Sequence, residues 1–382
     1  MRKDIIKHLL VGEAVLILFV TGMFLYRVET VAKEKKDILS EDVFTAELEQ
    51  KNYCNEETAN EECEETKEEK MKDFIKWVDF GVTCEALNDA YEYDVESQES
   101  EVKLNWIELL AYLGTKYGGD FKRYKCKDMC ALVNQLVNEK KTMEELTKDL
   151  KYYDYYHEVY EAVLGGFVGY YEVETGIDEQ TGESQWEMKY GLKAYLPIAK
   201  NFPYYDYDDF GASRSYGFKR RHLGHDMMGQ VGTPIIAVES GYVEALGWNQ
   251  YGGWRIGIRS LDGKRYYYYA HLRKNFPYVK ALKEGSIVQA GDVIGYLGRT
   301  GYSRTENTNN IEQPHLHFGI QIIFDESQKE CNNEIWIDCY QITKFLYQNR
   351  SETKKDEETK EWYRIHKIKD PVVTEYEQKQ KS

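Results

Sequence analysis

Five of the chain's eight histidines fall between positions 222 and 317, and two clusters among them could do chemistry. These are His222-Leu223-Gly224-His225-Asp226 and Pro314-His315-Leu316-His317-Phe318. In an extended strand, residues i and i+2 share a face with Cα atoms about 6.6 Å apart, at ~3.3 Å per residue. His315 and His317 therefore project together, while Leu316 and Phe318 turn to a core. That suits one metal ligand and one neighbouring acid–base group. On a straight strand His222 and Asp226 would stand about 13 Å apart, too far to share a small ion, but Gly224 permits a bend between them. With His317 added, the set is two imidazoles and a carboxylate. Such a set binds Zn²⁺ at about 2.0–2.2 Å per ligand and leaves a fourth position for water, whose pKa the metal lowers to about 7. His271 ends the run KRYYYYAHL and, by strand alternation, shares a face with Tyr267 and Tyr269. Alone it would read as a packed or surface residue; its case rests on its company.

The elements that must position these residues read as strands. TPIIAVESGYVEALGW, WRIGIRS, KRYYYYAHL, SIVQAGDVIGYLG and PHLHFGIQIIF are short runs rich in β-branched and aromatic residues, separated by Gly, Asn and Asp. This predicts an antiparallel β-rich domain over 190–348. Residues 71–171 carry apolar positions at three- and four-residue spacing and predict an α-helical domain, with Gly118-Gly119 closing one helix. Glu85, Glu108 and His157 within it fit solvated helix faces better than a site. Residues 28–70 are dominated by Glu and Lys and read as a charged stalk or linker. Residues 351–382 form a charged tail expected to fray.

The N-terminal stretch 1–27 contains an apolar run from Leu9 to Tyr26, about 27 Å long as a helix at ~1.5 Å per residue. It is read as a single-pass membrane anchor in preference to a cleaved signal peptide. The expected fold class is thus α+β and multidomain: an N-terminal transmembrane helix, an α-helical domain and a C-terminal antiparallel β-rich domain. The expected location is the cell membrane, with the C-terminal domain extracellular. A net charge of −16 excludes a nucleic-acid partner, because phosphate backbones require a basic footprint. The seven cysteines include no C-x-x-C pair, so a cysteine zinc site is not indicated.

The segment from about Phe210 to Phe324 resembles the lysostaphin-like (LytM) zinc endopeptidases. The resemblance rests on His222-x-x-x-Asp226, Tyr269-Ala270-His271-Leu272 and Pro314-His315-Leu316-His317-Phe318. Gly232-Thr233-Pro234, Gly291-Asp292-Val293-Ile294-Gly295 and Gly298-Arg299-Thr300-Gly301 fit as well. It implies a zinc cofactor held by His222, Asp226 and His317, with His271 and His315 as the catalytic pair and Tyr216 as an oxyanion donor. It further implies an endopeptidase acting on the cross-bridges or stem peptides of bacterial peptidoglycan. Relatives that lost ligands act as scaffolds or binding modules at the cell envelope; all five ligand and catalytic histidine and aspartate positions are filled here, which favours activity. Two features depart from the pattern: His225 stands where the family is usually apolar, and the loop Tyr302 to Gln313 is long and reads as an exposed lip. Residues 71–171 carry no motif, and positioning the enzyme or binding a protein partner are both open to them.

Overall fold

A computed structural model describes residues 74–215, 219–329 and 333–381. Residues 73–382 form one compact unit. Its first part is helical: α1 (Cys84–Ser97), α2 (Trp106–Tyr117), α3 (Cys126–Val137), α4 (Met143–Thr147) and α5 (Tyr153–Leu164). Local chemistry sets their ends. The Asn105 side chain accepts from the N–H groups of Ile107 and Glu108 at the start of α2, and Gly118 closes that helix at φ 62°. A left-handed residue there is most easily glycine. Thr142 and Glu145 form a reciprocal capping box on the short α4. Helix α2 buries Ile107, Leu110, Leu113 and Gly114 on one stripe. Full burial of one such leucine stabilises by about 1.5–3 kcal/mol.

The helical pattern ends sooner than the sequence suggests. Residues 168–177 are not helix but strand β1 (Val168–Ile177), which pairs with β2 (Ser184–Leu192) in a long hairpin. The main sheet is antiparallel throughout. Its strands are β3 (Tyr204–Asp206), β6 (His225–Gly229), β8 (Gly241–Asn249), β9 (Gly253–Ser260), β10 (Arg265–Ala270), β11 (Ile287–Val288) and β13 (His315–Ile322). They lie in the order β11-β8-β9-β10-β13-β6-β3, with β14 (Ile335–Ile337) also pairing β13. Two small ribbons complete this part: β4 (Ser213–Ser215) with β5 (Lys219–Arg221), and β7 (Pro234–Ile236) with β12 (Val293–Tyr296).

Helices and sheet share one hydrophobic core, running from Leu109, Leu110 and Tyr160 to Tyr267, Phe318 and Ile320. Helix α6 (Tyr340–Leu346) joins them, its Phe345 stacking on Trp106 at 5.7 Å. The C-terminal stretch does not fray. It forms the hairpin β15 (Thr353–Lys355) and β16 (Trp362–Arg364), then β17 (Ile368–Lys369), which pairs with β1, then α7 (Pro371–Lys381). Buried Asp370 accepts from Lys193 Nζ at 2.9 Å and fixes that end.

The expected fold class requires one correction. Among the described residues no helix is long and apolar enough to cross a membrane. The longest, α1, has 14 residues and spans about 21 Å, against a hydrocarbon core of ~30 Å. The architecture of the described residues is therefore a β-rich domain with an integral helical region, none of whose helices can cross a membrane. The apolar run 9–26 and the charged segment 28–70 lie outside the described residues.

Candidate metal centre

The site is assembled where β6 and β10 flank β13. Register places Asp226 opposite His317 on one side and Ala270 opposite His317 on the other. As the alternation requires, Leu316 and Phe318 are buried beneath the sheet while His315 and His317 share the other face. His222 lies in the short connection before β6. Its Nε2 stands 3.0 Å from Asp226 Oδ1 and 2.9 Å from His317 Nδ1. His317 Nδ1 is itself 3.0 Å from Asp226 Oδ1. The bend is real, but the reason for Gly224 is space: a Cβ there would lie 2.6 Å from His317 Cε1 and 2.8 Å from the Phe318 carbonyl oxygen.

His271 reaches the same centre by a route that alternation misses. Tyr267 and Tyr269 pack against Phe318 on the core side, and it is Tyr268 that faces His317, at 5.9 Å. A regular strand would send His271 into the core. Instead its backbone is left-handed, φ 62°, an uncommon state for a residue with a Cβ. The ring consequently lies 4.8 Å from that of His315 and 5.8 Å from that of His317. The turn is held by the His271 N–H donating to Gly252 O at 2.7 Å. Thr300 adds a second hold, its Oγ1 donating to Leu272 O at 2.6 Å and accepting from the Trp254 N–H at 3.1 Å.

Two backbone carbonyls set the proton positions of the acid–base pair. His271 Nδ1 is 2.9 Å from Thr300 O, and His315 Nδ1 is 2.8 Å from Gln313 O. A carbonyl only accepts, so each Nδ1 carries the hydrogen and each neutral ring keeps its lone pair on Nε2. His315 Nε2 is 3.7 Å from Asp226 Oδ1, on the centre's edge.

The electrostatics are those of imidazoles and carboxylates buried together. Burial alone would raise the Asp226 pKa, but hydrogen bonds from His222 and His317 outweigh it and hold the group well below the usual carboxylate range. Burial pulls His222 down, and the Asp209 and Asp226 carboxylates more than reverse that, lifting it to about 9. His317 is lowered by burial, which Asp226 only partly offsets, so it favours the neutral form that ligates metals. His271 is pushed down by burial and then by His315 and His317.

Asp209 was not legible from the sequence; only its place in the acidic run Tyr205-Asp206-Tyr207-Asp208-Asp209 could have drawn attention to it. Its Oδ2 lies 3.2 Å from His222 Nδ1 and 2.6 Å from Arg214 Nη2, and its carbonyl oxygen 3.1 Å from His222 Nδ1. Holding Nδ1 this way turns Nε2 toward Asp226 and His317. His225 is not a surface group. It is buried on the other face, with Nε2 bonded to Asp206 at 2.9 Å, and Asp206 and Asp209 lift it to about 9 against the opposing effect of burial. Tyr216 lies outside the described residues. The loop after Tyr302 is exposed over Arg304 to Glu306, then tied down where Trp254 Nε1 donates to Asn307 at 2.9 Å.

The ligand atoms of His222, Asp226 and His317 all fall within 4.8 Å of one another. Two imidazoles and a carboxylate converging at such distances fit a tetrahedral zinc ion with one position left open.

Comparison with known proteins agrees with this geometry. The family model described as peptidase family M23 matches residues 220–355. An L-Ala–D-Glu endopeptidase of Bacillus subtilis is 39% identical over 125 residues, 33% of this chain and 36% of that protein. The glycyl-glycine endopeptidase ALE-1 of Staphylococcus capitis is 40% identical over 98 residues, 25% of this chain and 24% of that protein. The solved catalytic domain of lysostaphin from Staphylococcus simulans is 32% identical, with 37% of this chain and 92% of that domain covered, at a TM-score of 0.29. The chain thus spans about a third or less of the length of these two curated relatives. Residues 220–355, which carry all three converging ligand residues and both further histidines, are a peptidase family M23 domain.

Proposed function

We propose that this protein is a zinc-dependent endopeptidase that hydrolyses peptide bonds in the cross-bridges or stem peptides of bacterial peptidoglycan. One observation carries the reading: three ligand atoms converge beside two histidines whose Nδ1 atoms are each tied to a carbonyl. His222 Nε2, Asp226 Oδ1 and His317 Nδ1 would hold the ion. Zinc bound there supplies Lewis acidity, acidifying a water and polarising the scissile carbonyl. The chain's own residues handle the protons. His271 Nε2 accepts one proton as the water's oxygen attacks the carbonyl carbon. That proton passes to the leaving nitrogen as the C–N bond breaks, and His315 Nε2, at the more open edge, stabilises the developing oxyanion when protonated. Asp209 keeps His222 in its ligating orientation, and the left-handed turn at His271 keeps its lone pair on the reacting atoms.

The relatives named above act, by their descriptions, on L-Ala–D-Glu and glycyl-glycine bonds, both peptide bonds. A peptidoglycan substrate would place the catalytic region on the outer side of the cytoplasmic membrane. The test is zinc content together with release of new amino groups from peptidoglycan by the full chain. About one zinc per chain and cleavage, both lost in His222→Ala, support the reading. Absence of zinc from the purified protein, with no uptake on addition, would overturn it.

A further inference from the structure

We infer that Arg220 is a carboxylate-reading subsite, and that the preferred substrate is a peptide with a free carboxylate close to the scissile bond. The inference rests on the peptidase reading above and specifies its substrate class. Two arginines approach the centre, and they are used differently. Arg214 is committed to the centre's own carboxylates, 2.6 Å from Asp209 Oδ2 and 3.4 Å from Asp226 Oδ2. Arg220 is not: among the described residues no carboxylate pairs with it. Its guanidinium lies 5.0 Å from the ring centroid of Tyr302 and 5.8 Å from that of Tyr251, and Nη2 donates to the Tyr302 hydroxyl oxygen. The ring of Tyr302 in turn lies 5.7 Å from that of His271. An arginine held against aromatic faces is pre-ordered at its binding geometry, and its remaining N–H donors match the two oxygens of a carboxylate. The guanidinium is half-buried and stands one aromatic ring away from the acid–base histidine.

The test compares two peptides containing L-Ala–D-Glu, identical except that one carries the free carboxylate and the other its carboxamide. Both are titrated calorimetrically into the zinc-loaded full chain. The carboxylate peptide should bind about tenfold more tightly, as expected for one charge-assisted pair at a partly exposed site. In Arg220→Gln the preference should disappear, and in Arg220→Lys, which keeps the charge without the planar fork, it should shrink. Any pull of the metal on the carboxylate is the same in all three proteins, so the change in ratio belongs to Arg220. In the unmodified protein the preference should also weaken as salt is raised, which reads the charge without a variant. Equal affinities in the unmodified protein, or an unchanged ratio in Arg220→Gln, would overturn the subsite. Cleavage of peptidoglycan is scored separately: cleavage without a preference sinks the subsite alone, and a preference without cleavage sinks the peptidase reading alone.

Discussion

Two buried polar clusters sit on the same sheet, and they are opposites. In one, Arg265 is fully enclosed, yet its donors are matched: Nε to Glu239 at 2.8 Å, Nη2 to Asp262 at 2.7 Å, Nη1 to the carbonyl of Ala162 at 2.7 Å. Tyr267 donates a further short bond to Glu239. Ala162 belongs to α5, so this closed cluster bolts the helical region onto the sheet. In the other, His222, Asp226 and His317 direct acceptor atoms at a common point, and two more histidines stand by with free lone pairs. A buried cluster complete in itself is structure. One whose ligand atoms converge beside histidines with open lone pairs is a site, because those atoms are arranged to share a cation.

Breaking each cluster should therefore give different losses. The largest effect on chemistry is expected from Asp226→Ala: loss of bound zinc and a fall in peptidoglycan cleavage of about a thousandfold or more, with the fold retained, measured by metal analysis, amino-group release and circular dichroism. Arg265→Met should do the reverse. It leaves Glu239 buried without its partner, which destabilises by about 3–5 kcal/mol, read as a lower denaturant midpoint, while zinc binding per folded molecule persists. Similar losses of stability in both variants would erase the distinction.

Much of the open cluster was legible in the sequence, and little of the closed one. His-x-His in an alternating strand and His-x-x-x-Asp around a glycine are local patterns, and strand geometry delivers them to one face. Asp209 was invisible because its partner, His222, comes from another element and no spacing rule links them. His271 was placed by company rather than geometry, since period-2 alternation puts it in the core and only the left-handed turn brings it out. The end of the helical run at Leu164 is hidden in the sequence because the aromatic residues of 168–171 suit strand and helix patterns alike. The charged tail was expected to fray because composition does not report that Asp370 meets Lys193, 177 residues away.

Gly224 sharpens the comparison on a smaller scale. Gly224→Ala introduces no polar change and no left-handed strain, only a Cβ that crowds the His317 imidazole and the Phe318 carbonyl oxygen. His317 must shift by several tenths of an ångström, while the closed cluster around Arg265 is untouched. Zinc affinity should fall about 10–100-fold, the range seen when groups supporting metal ligands are disturbed. Competition with a chromophoric chelator measures this directly, and affinity unchanged from the parent would mean that the ligand triad tolerates displacement.

The smallest effect should come from Thr300→Val. Valine keeps the shape but removes the hydroxyl that donates to Leu272 O and accepts from Trp254 N–H. Those bonds fix the segment whose Thr300 carbonyl holds His271 Nδ1, so the turn at φ 62° loses one of its restraints. The zinc ligands are not involved. Zinc content should stay near one per chain while kcat drops about tenfold, as expected when an acid–base group is misaligned but present. A change in zinc affinity instead of kcat would show that the turn supports the metal ligands rather than the proton-handling histidine.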